Sequence, residues 1–111
     1  MRPDPVLGLL GLAQKAGCVK SGEFMAENMI KEGKSFLCIT ATDASDNTKK
    51  HFNDMCSYRS IPYMEYSDKE SLGRAIGKEL RATLCVTDEG LAGQIQKKMA
   101  EVAINGKDES T

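Results

Sequence analysis

The chain has 111 residues, with 15 Lys and Arg against 16 Asp and Glu and a formal net charge of −1. This length suits one domain of ordinary size and leaves no room for a second. The balanced charge excludes a strong overall attraction to polyanions, so binding to nucleic acid would require a local basic face.

Cysteine spacing and the lengths of the apolar runs indicate a soluble protein that holds no metal. No CxxC pair occurs and His51 is the single histidine, which argues against a zinc site. No secretory signal is recognisable, so we expect a cytoplasmic protein with reduced, mostly buried thiols at Cys18, Cys38, Cys56 and Cys85. The longest apolar run, Val6 to Ala13, is too short to cross a bilayer, so we expect no membrane partner.

The first part of the chain alternates helical and strand patterns. Asp4 is a suitable helix cap and Pro5 suits the first helical position. In chain order the patterns predict a helix from Pro5 that ends at Gly17, a strand over 18–21, a helix from Gly22 to Gly33, and a strand over 36–41. The almost continuous apolar run of this last strand is typical of burial on both faces.

The second part of the chain repeats this alternation. It predicts a third helix that is capped within 42–45 and ends near Tyr58, followed by an edge strand over 61–66. A short helix through Ile76 then begins at a capping box formed by Ser67 and Glu70. A strand over 82–86 and a last helix, from the Thr87-Asp88 cap to about Ala103, complete the prediction. This order favours an α/β sheet covered on both faces. Residues 105–111 are predicted to form a flexible tail, which leaves 1–104 as a single domain.

No stretch of the sequence has all the residues and the local structure that a catalytic or cofactor-binding motif requires. Gly33-Lys34-Ser35 ends like a phosphate loop, but Asn28 stands where the first glycine belongs and a strand follows instead of a helix. His51 is predicted on the solvent face of the third helix, without an orienting partner. We therefore expect a protein that is not an enzyme and that has no cofactor.

The stretch VKSGEF, around Gly22, carries more information. The glycine there either turns the chain or lets a phosphate backbone approach the amides of the following helix, and the sequence leaves both readings open. Lys15, Lys20 and Lys34 lie at the ends of neighbouring elements. If these elements pack together, the three lysines could surround the helix N-terminus and contact phosphates.

At the level of whole motifs, the chain resembles the bacterial YlxQ-type members of the L7Ae superfamily, which are ribosomal and kink-turn RNA-binding proteins. The matching blocks, in order, are LLGLAQKAG (9–17), VKSGE, ATDAS (41–45), IPYMEY, LGRAIGKE (72–79) and VTDEG (86–90). The resemblance implies a three-layer α-β-α sandwich with a four-stranded mixed sheet. It also implies that structured RNA, most simply ribosomal RNA, is the partner, with a ribosomal protein or translation factor as a possible second partner.

The resemblance also implies which residues bind RNA. The family motif that begins the second helix falls on 22–25, where only the glycine matches, and the two flanking loops fall on 42–43 and 80–82. The residues expected from the resemblance are Gly22, Glu23, Phe24, Met25, Thr42, Asp43, Leu80, Arg81 and Ala82. The VKSGEF stretch and its neighbouring lysines add Lys20, Ser21 and Lys34 to the expected RNA-binding set. Phe24 cannot read base edges but can stack on an unpaired base. The alternative is a protein-interaction module that uses Phe24 and Met25 as an exposed apolar anchor.

Overall fold

The computed structural model describes residues 4–109, with side chains described through residue 103. This part of the chain contains five α-helices and four β-strands that alternate throughout. They are α1 (Pro5–Lys15), β1 (Val19–Ser21), α2 (Glu23–Lys31), β2 (Leu37–Thr40), α3 (Asp46–Tyr58), β3 (Tyr63–Glu65), α4 (Lys69–Ala75), β4 (Thr83–Val86) and α5 (Glu89–Glu109). None of the helices described is long and apolar enough to cross a membrane.

The sheet is mixed, with four strands in the order β1-β4-β2-β3. Strand β4 is antiparallel to both of its neighbours, whereas β2 and β3 are parallel. Strand β3 lies at an edge, as the sequence predicts. Strands β1, β2 and β3 therefore run in one direction, and the residues that follow them meet the residues that precede β4 at one end of the sheet.

Two apolar clusters, one on each face of the sheet, make the fold a three-layer α-β-α sandwich. The larger cluster joins the sheet to α1, α4 and α5 and includes Leu10, Leu72, Leu84 and Ile95. The smaller cluster joins the opposite face to α2 and α3 through Ile30, Cys38, Phe52, Cys56 and Cys85. Both β2 and β4 are buried along their whole length, which confirms the reading of the apolar run as a doubly covered strand.

Most of the predicted helix starts are confirmed by side-chain caps. Asp4 accepts hydrogen bonds from the backbone N–H groups of Val6 and Leu7 at 2.8 and 3.1 Å. Ser45 caps α3 by accepting from Thr48, and Asp88 accepts from Leu91 in the first turn of α5. These local signals of the sequence therefore locate the starts of three helices.

The start of α4 and the end of α5 differ from the prediction. The cap of α4 is Asp68, which accepts from the Ser71 N–H at 2.7 Å, whereas Ser67 has a φ of 64° and lies outside the helix. The predicted capping box is therefore wrong, and the backbone hydrogen bond from Ser71 lowers the pKa of Asp68. Helix α5 continues past Ala103 to Glu109, into the segment predicted as a tail. Residues 110–111 lie outside the described residues, and the flexibility of 105–111 stays a prediction.

Candidate functional site

A cleft of about 420 Å³ opens at the sheet end where β1 ends and β4 begins. We call it the Gly22 cleft; its lining residues are Ser21, Gly22, Glu23, Lys69, Leu80, Arg81 and Ala82. Six of these seven belong to the predicted RNA-binding set, although they come from two segments far apart in the sequence. The sheet topology brings them together, because β1 ends where its antiparallel neighbour β4 begins.

Gly22 has a backbone conformation that only glycine adopts readily, with φ 93° and ψ 152°. Its N–H donates to the carbonyl of Thr83 at 2.9 Å, which ties the turn to β4. Within the described chain no side chain caps α2, and a Cβ built on Gly22 would meet no heavy atom within 4 Å. The turn by itself thus requires glycine, and the space beside it remains open to a ligand near the first amides of α2.

Arg81 links the two sides of the cleft. Its Nε donates to the Ser21 hydroxyl at 3.1 Å, and its Nη1 donates to the Leu80 carbonyl at 2.8 Å. A guanidinium carries five N–H donors, so this arrangement holds the group in place and leaves donors for an anion in the cleft.

Lys69 is a lining residue that the sequence reasoning missed. Its backbone N–H donates to Asp43 Oδ1 at 2.9 Å, and its carbonyl accepts from the Arg81 N–H at 3.0 Å. Asp43 therefore holds the start of α4 in place, and Thr42 assists by donating its N–H and its hydroxyl to the Ser67 carbonyl. The signal that could have revealed Lys69 is topological, since the chain leaves β3 at the same sheet end as β1.

Gly73 in α4 lets the loop that carries Leu80 and Arg81 pack closely on that helix. A Cβ on this buried glycine would overlap the backbone carbonyl of Glu79, so only glycine permits the approach. The sequence reasoning included Gly73 in a matching block but assigned it no role.

Three apolar side chains are exposed on or beside the cleft. Phe24 is 74% exposed in the first turn of α2, Leu80 is 60% exposed on the cleft wall, and Met25 is 37% exposed. Phe24 and Met25 do not line the cleft itself. Their exposure gives this end an apolar rim next to its cationic wall.

The predicted ring of lysines around Gly22 is wrong. Lys15 precedes β1 and Lys34 precedes β2, so both lie at the sheet end opposite the cleft. Lys34 forms an exposed ion pair with Glu32 at 3.2 Å. Lys20 lines a second groove beside α2 together with Lys34. The prediction failed because residues that are close to Gly22 in the sequence can lie at the other end of a strand.

The cysteines are placed as the sequence suggests, whereas His51, predicted to be exposed and without an orienting partner, is exposed but has a carboxylate partner. His51 is an exposed residue of α3, with its Nε2 2.6 Å from Glu27 Oε1. Cys38, Cys56 and Cys85 are buried thiols, and Cys18 is partly exposed. A hydrogen bond to Cys38, together with burial, raises the pKa of Cys56 and of Cys85, which keeps both protonated.

Comparison with known proteins places this geometry in context. The model of the ribosomal protein L7Ae/L30e/S12e/Gadd45 family matches residues 4–96. The chain is 41% identical over 87 residues to the RNA-binding protein YlxQ of Bacillus subtilis, an alignment that covers 78% of this chain and 87% of that protein. The homologues are RNA-binding and ribosomal-type proteins, and their family is not enzymatic.

Solved structures share the fold. A protein of unknown function from Bacillus halodurans superimposes with a TM-score of 0.86 at 33% identity, covering 88% of this chain and 99% of that one. The 15.5 kD RNA-binding protein of Giardia lamblia superimposes with a TM-score of 0.74 at 21% identity, covering 94% and 92% of the two chains. These likenesses confirm the predicted α-β-α sandwich.

Proposed function

The chain belongs to the ribosomal protein L7Ae/L30e/S12e/Gadd45 family, and from this premise we propose that it is a bacterial RNA-binding protein whose RNA-contacting surface is the Gly22 cleft. One observation carries the assignment to the cleft. The start of α2, which no described side chain caps, the fixed Arg81 and Lys69 line one opening at a single end of the sheet.

The chemistry of the cleft suits a folded RNA backbone. Helix amides and a guanidinium both bind phosphate oxygens, and the open space beside Gly22 admits a backbone that a side chain would exclude. Phe24 offers a stacking surface for an unpaired base, a contact worth about 1 to 3 kcal/mol. Glu23 also lines the opening, and its negative charge opposes this attraction. Shape and backbone contacts, rather than base-edge readout, therefore dominate recognition at this site.

The finer assignment concerns the kind of RNA and its setting. The protein recognises structured RNA of the kink-turn type, most simply ribosomal RNA, and it associates with the ribosome in the cytoplasm. Two findings support this: the ribosomal-protein family match, and the convergence of the α2 start with the loop over 80–82, which the family resemblance implies as the RNA-contacting segments. In this function Thr42 and Asp43 position the start of α4, and contact with RNA is secondary for them.

A second candidate function rests on the exposed apolar rim. Phe24 and Leu80 present large apolar side chains to solvent, as the anchors of a protein interface do. A ribosomal protein or translation factor would then contact the same end of the molecule. Binding to such a partner should depend on salt much less steeply than binding to RNA does.

A titration of three RNAs, each at two salt concentrations, tests the proposal. The probes are a kink-turn RNA, a looped RNA without a kink-turn, and a straight duplex. We expect the tightest binding to the kink-turn RNA, with a salt slope that falls by about 0.9 in Arg81→Gln because one phosphate contact is lost. The matched control is Arg59→Gln, which removes the same charge next to Tyr58 at the end of α3 and should leave binding unchanged.

Two outcomes contradict the proposal. Equal wild-type affinity for the three RNAs would exclude recognition of structured RNA. No binding to any of them at low salt would favour the protein-interaction function instead.

A further inference from the structure

A second groove, of about 440 Å³, lies beside α2 and reaches the sheet end opposite the Gly22 cleft. We call it the Phe36 groove; its lining residues are Lys20, Met29, Gly33, Lys34, Phe36 and Thr87. Phe36 precedes β2 and Thr87 follows β4, which places both at that far end. Strand β2 has 4 residues, so the two openings are separated by about 13 Å of sheet.

The groove combines an apolar floor with two cations from different elements. Phe36 is 37% exposed, and Met29 is partly buried beside it. Lys20 pairs with Cys85 across β1 and β4, and the Cys85 side chain belongs to the cluster under α2 and α3. Because paired residues of neighbouring strands point to the same face of a sheet, Lys20 also projects toward α2. Lys34 extends this charge just after the end of α2.

Neither lysine is held tightly by another group that the structure describes at the groove. The ion pair of Lys34 with Glu32 is exposed, with 64% and 51% of the two side chains accessible, and such pairs contribute little. Gly33 has a φ of 74°, and a Cβ on it would meet no heavy atom within 4 Å, so the space beside it is open. A phosphate can therefore replace Glu32 at Lys34 without disturbing a packed element.

We propose that the Phe36 groove binds an unpaired nucleotide of single-stranded RNA. The base stacks on the accessible part of the Phe36 ring, and the flanking phosphates pair with Lys20 and Lys34. An aromatic ring bordered by two lysines has the charge complementarity that a nucleotide requires, since every base has a stacking face and every linkage a negative charge. This site goes beyond the function of the Gly22 cleft and does not depend on it.

Octauridylate is a suitable probe, because it has no folded structure, and the amide signals of the groove residues distinguish binding there from stacking on Phe24 beside the cleft. Titration of the isotope-labelled protein should shift the backbone amide signals of Lys20, Lys34 and Phe36. In Phe36→Leu, which keeps an apolar side chain but removes the ring, we expect a loss of affinity of about fivefold or more. Lys20→Gln and Lys34→Gln should each reduce the salt slope by about 0.7. A thermal melt of each variant checks that it folds.

Matched controls lie on α3. Tyr58→Leu removes an aromatic ring that is 85% exposed, and Lys50→Gln removes a lysine whose side chain is 77% exposed. Both should bind octauridylate like the wild type. Arg81→Gln should also leave octauridylate binding intact, whereas Phe36→Leu should leave binding of a compact kink-turn RNA intact, so failures at the two sites are distinguishable.

Three results would overturn the assignment. The first is no binding of octauridylate by the wild type at low salt. The second is equal affinity in Phe36→Leu and wild type, or an equal loss in the α3 controls. The third is a shift of the same amide signals by a peptide that contains glutamate and phenylalanine, with no shift caused by octauridylate. That result would assign the groove to a protein partner.

Discussion

The two ends of the sheet hold their charged groups in different ways. At the Gly22 cleft the geometry is set by backbone: Gly22 has a φ of 93°, and Arg81 is fixed by hydrogen bonds to Ser21 and to the Leu80 carbonyl. At the Phe36 groove the charge is carried by lysine side chains, and the ion pair that Lys34 forms with Glu32 is exposed. The first end is therefore organised before a ligand arrives, whereas the second must order its lysines on binding.

This difference predicts opposite sensitivities. A substitution that alters the backbone at the cleft end, as at Gly22 or Gly73, should disturb folding and binding together, because the same backbone serves both. A substitution of a lysine at the groove end should change binding and leave stability unaffected, because exposed side chains contribute little to folding. The following predictions test this contrast, from the largest expected effect to the smallest.

Gly73→Ala should have the largest effect, because the new methyl group overlaps the Glu79 carbonyl. The loop carrying Leu80 and Arg81 must then move, at a cost of about 3 kcal/mol in the free energy of unfolding. Denaturant unfolding measures this loss, and kink-turn RNA should bind weakly to whatever protein folds. The matched control is Gly93→Ala in α5, where a Cβ meets no heavy atom within 4 Å and a gain of about 0.5 kcal/mol is expected. Unfolding of Gly73→Ala at the wild-type midpoint would contradict the packing argument.

Gly22→Val should lower both stability and RNA affinity. An L-residue at a φ of 93° is strained by about 1 to 3 kcal/mol, and we expect a loss of RNA affinity of more than about tenfold. Semi-synthesis with D-alanine at this position separates the two roles of the glycine, because a D-residue accepts the backbone conformation but still adds a methyl group. Wild-type stability with weakened RNA binding would support backbone approach. Wild-type behaviour in both measurements would show that the glycine serves only the turn.

Phe24→Ala should affect binding alone, since its side chain is 74% exposed and stability should change by less than about 0.5 kcal/mol. We expect a loss of about 1 to 3 kcal/mol with an RNA that contains an unpaired base, and little change with a straight duplex. Tyr58→Ala is the matched control, since this ring is 85% exposed on α3. An equal loss on all RNAs would exclude stacking as the role of Phe24.

Labelling of the cysteines should change the stability and the RNA affinity of the protein least of all. A polar thiol reagent should modify Cys18 rapidly and leave Cys38, Cys56 and Cys85 unmodified in the folded protein, because these three are buried. The Cys18 carbonyl accepts from the N–H of Thr87, so the label reports on the groove end. If the label on Cys18 is a fluorophore, its fluorescence should change when octauridylate is added and stay constant when compact kink-turn RNA is added. Rapid labelling of Cys38 and Cys85 would show that the core is open.

Much of the fold was predictable from the sequence because its signals are local. Asp4 caps α1 through N–H groups two and three residues away, and the apolar run at β2 reports burial on both faces without reference to its neighbours. The family resemblance added the layer order and the segments over 22–25 and 80–82, of which Gly22, Glu23, Leu80, Arg81 and Ala82 line one cleft. Their contact with RNA stays a prediction.

The sequence by itself thus determined the elements, their alternation and the need for a helix start at Gly22. Tertiary structure decided which residues share an end of the sheet: Lys69 lines the Gly22 cleft, whereas Lys34 lies at the opposite end. It also decided that Ser67 lies outside α4, since the Ser67 carbonyl accepts hydrogen bonds from the distant Thr42, and that Gly73 must lack a side chain. Caps and periodicities depend on atoms within about four residues. The direction of each strand and the approach of a distant loop depend on pairing between residues far apart in the chain.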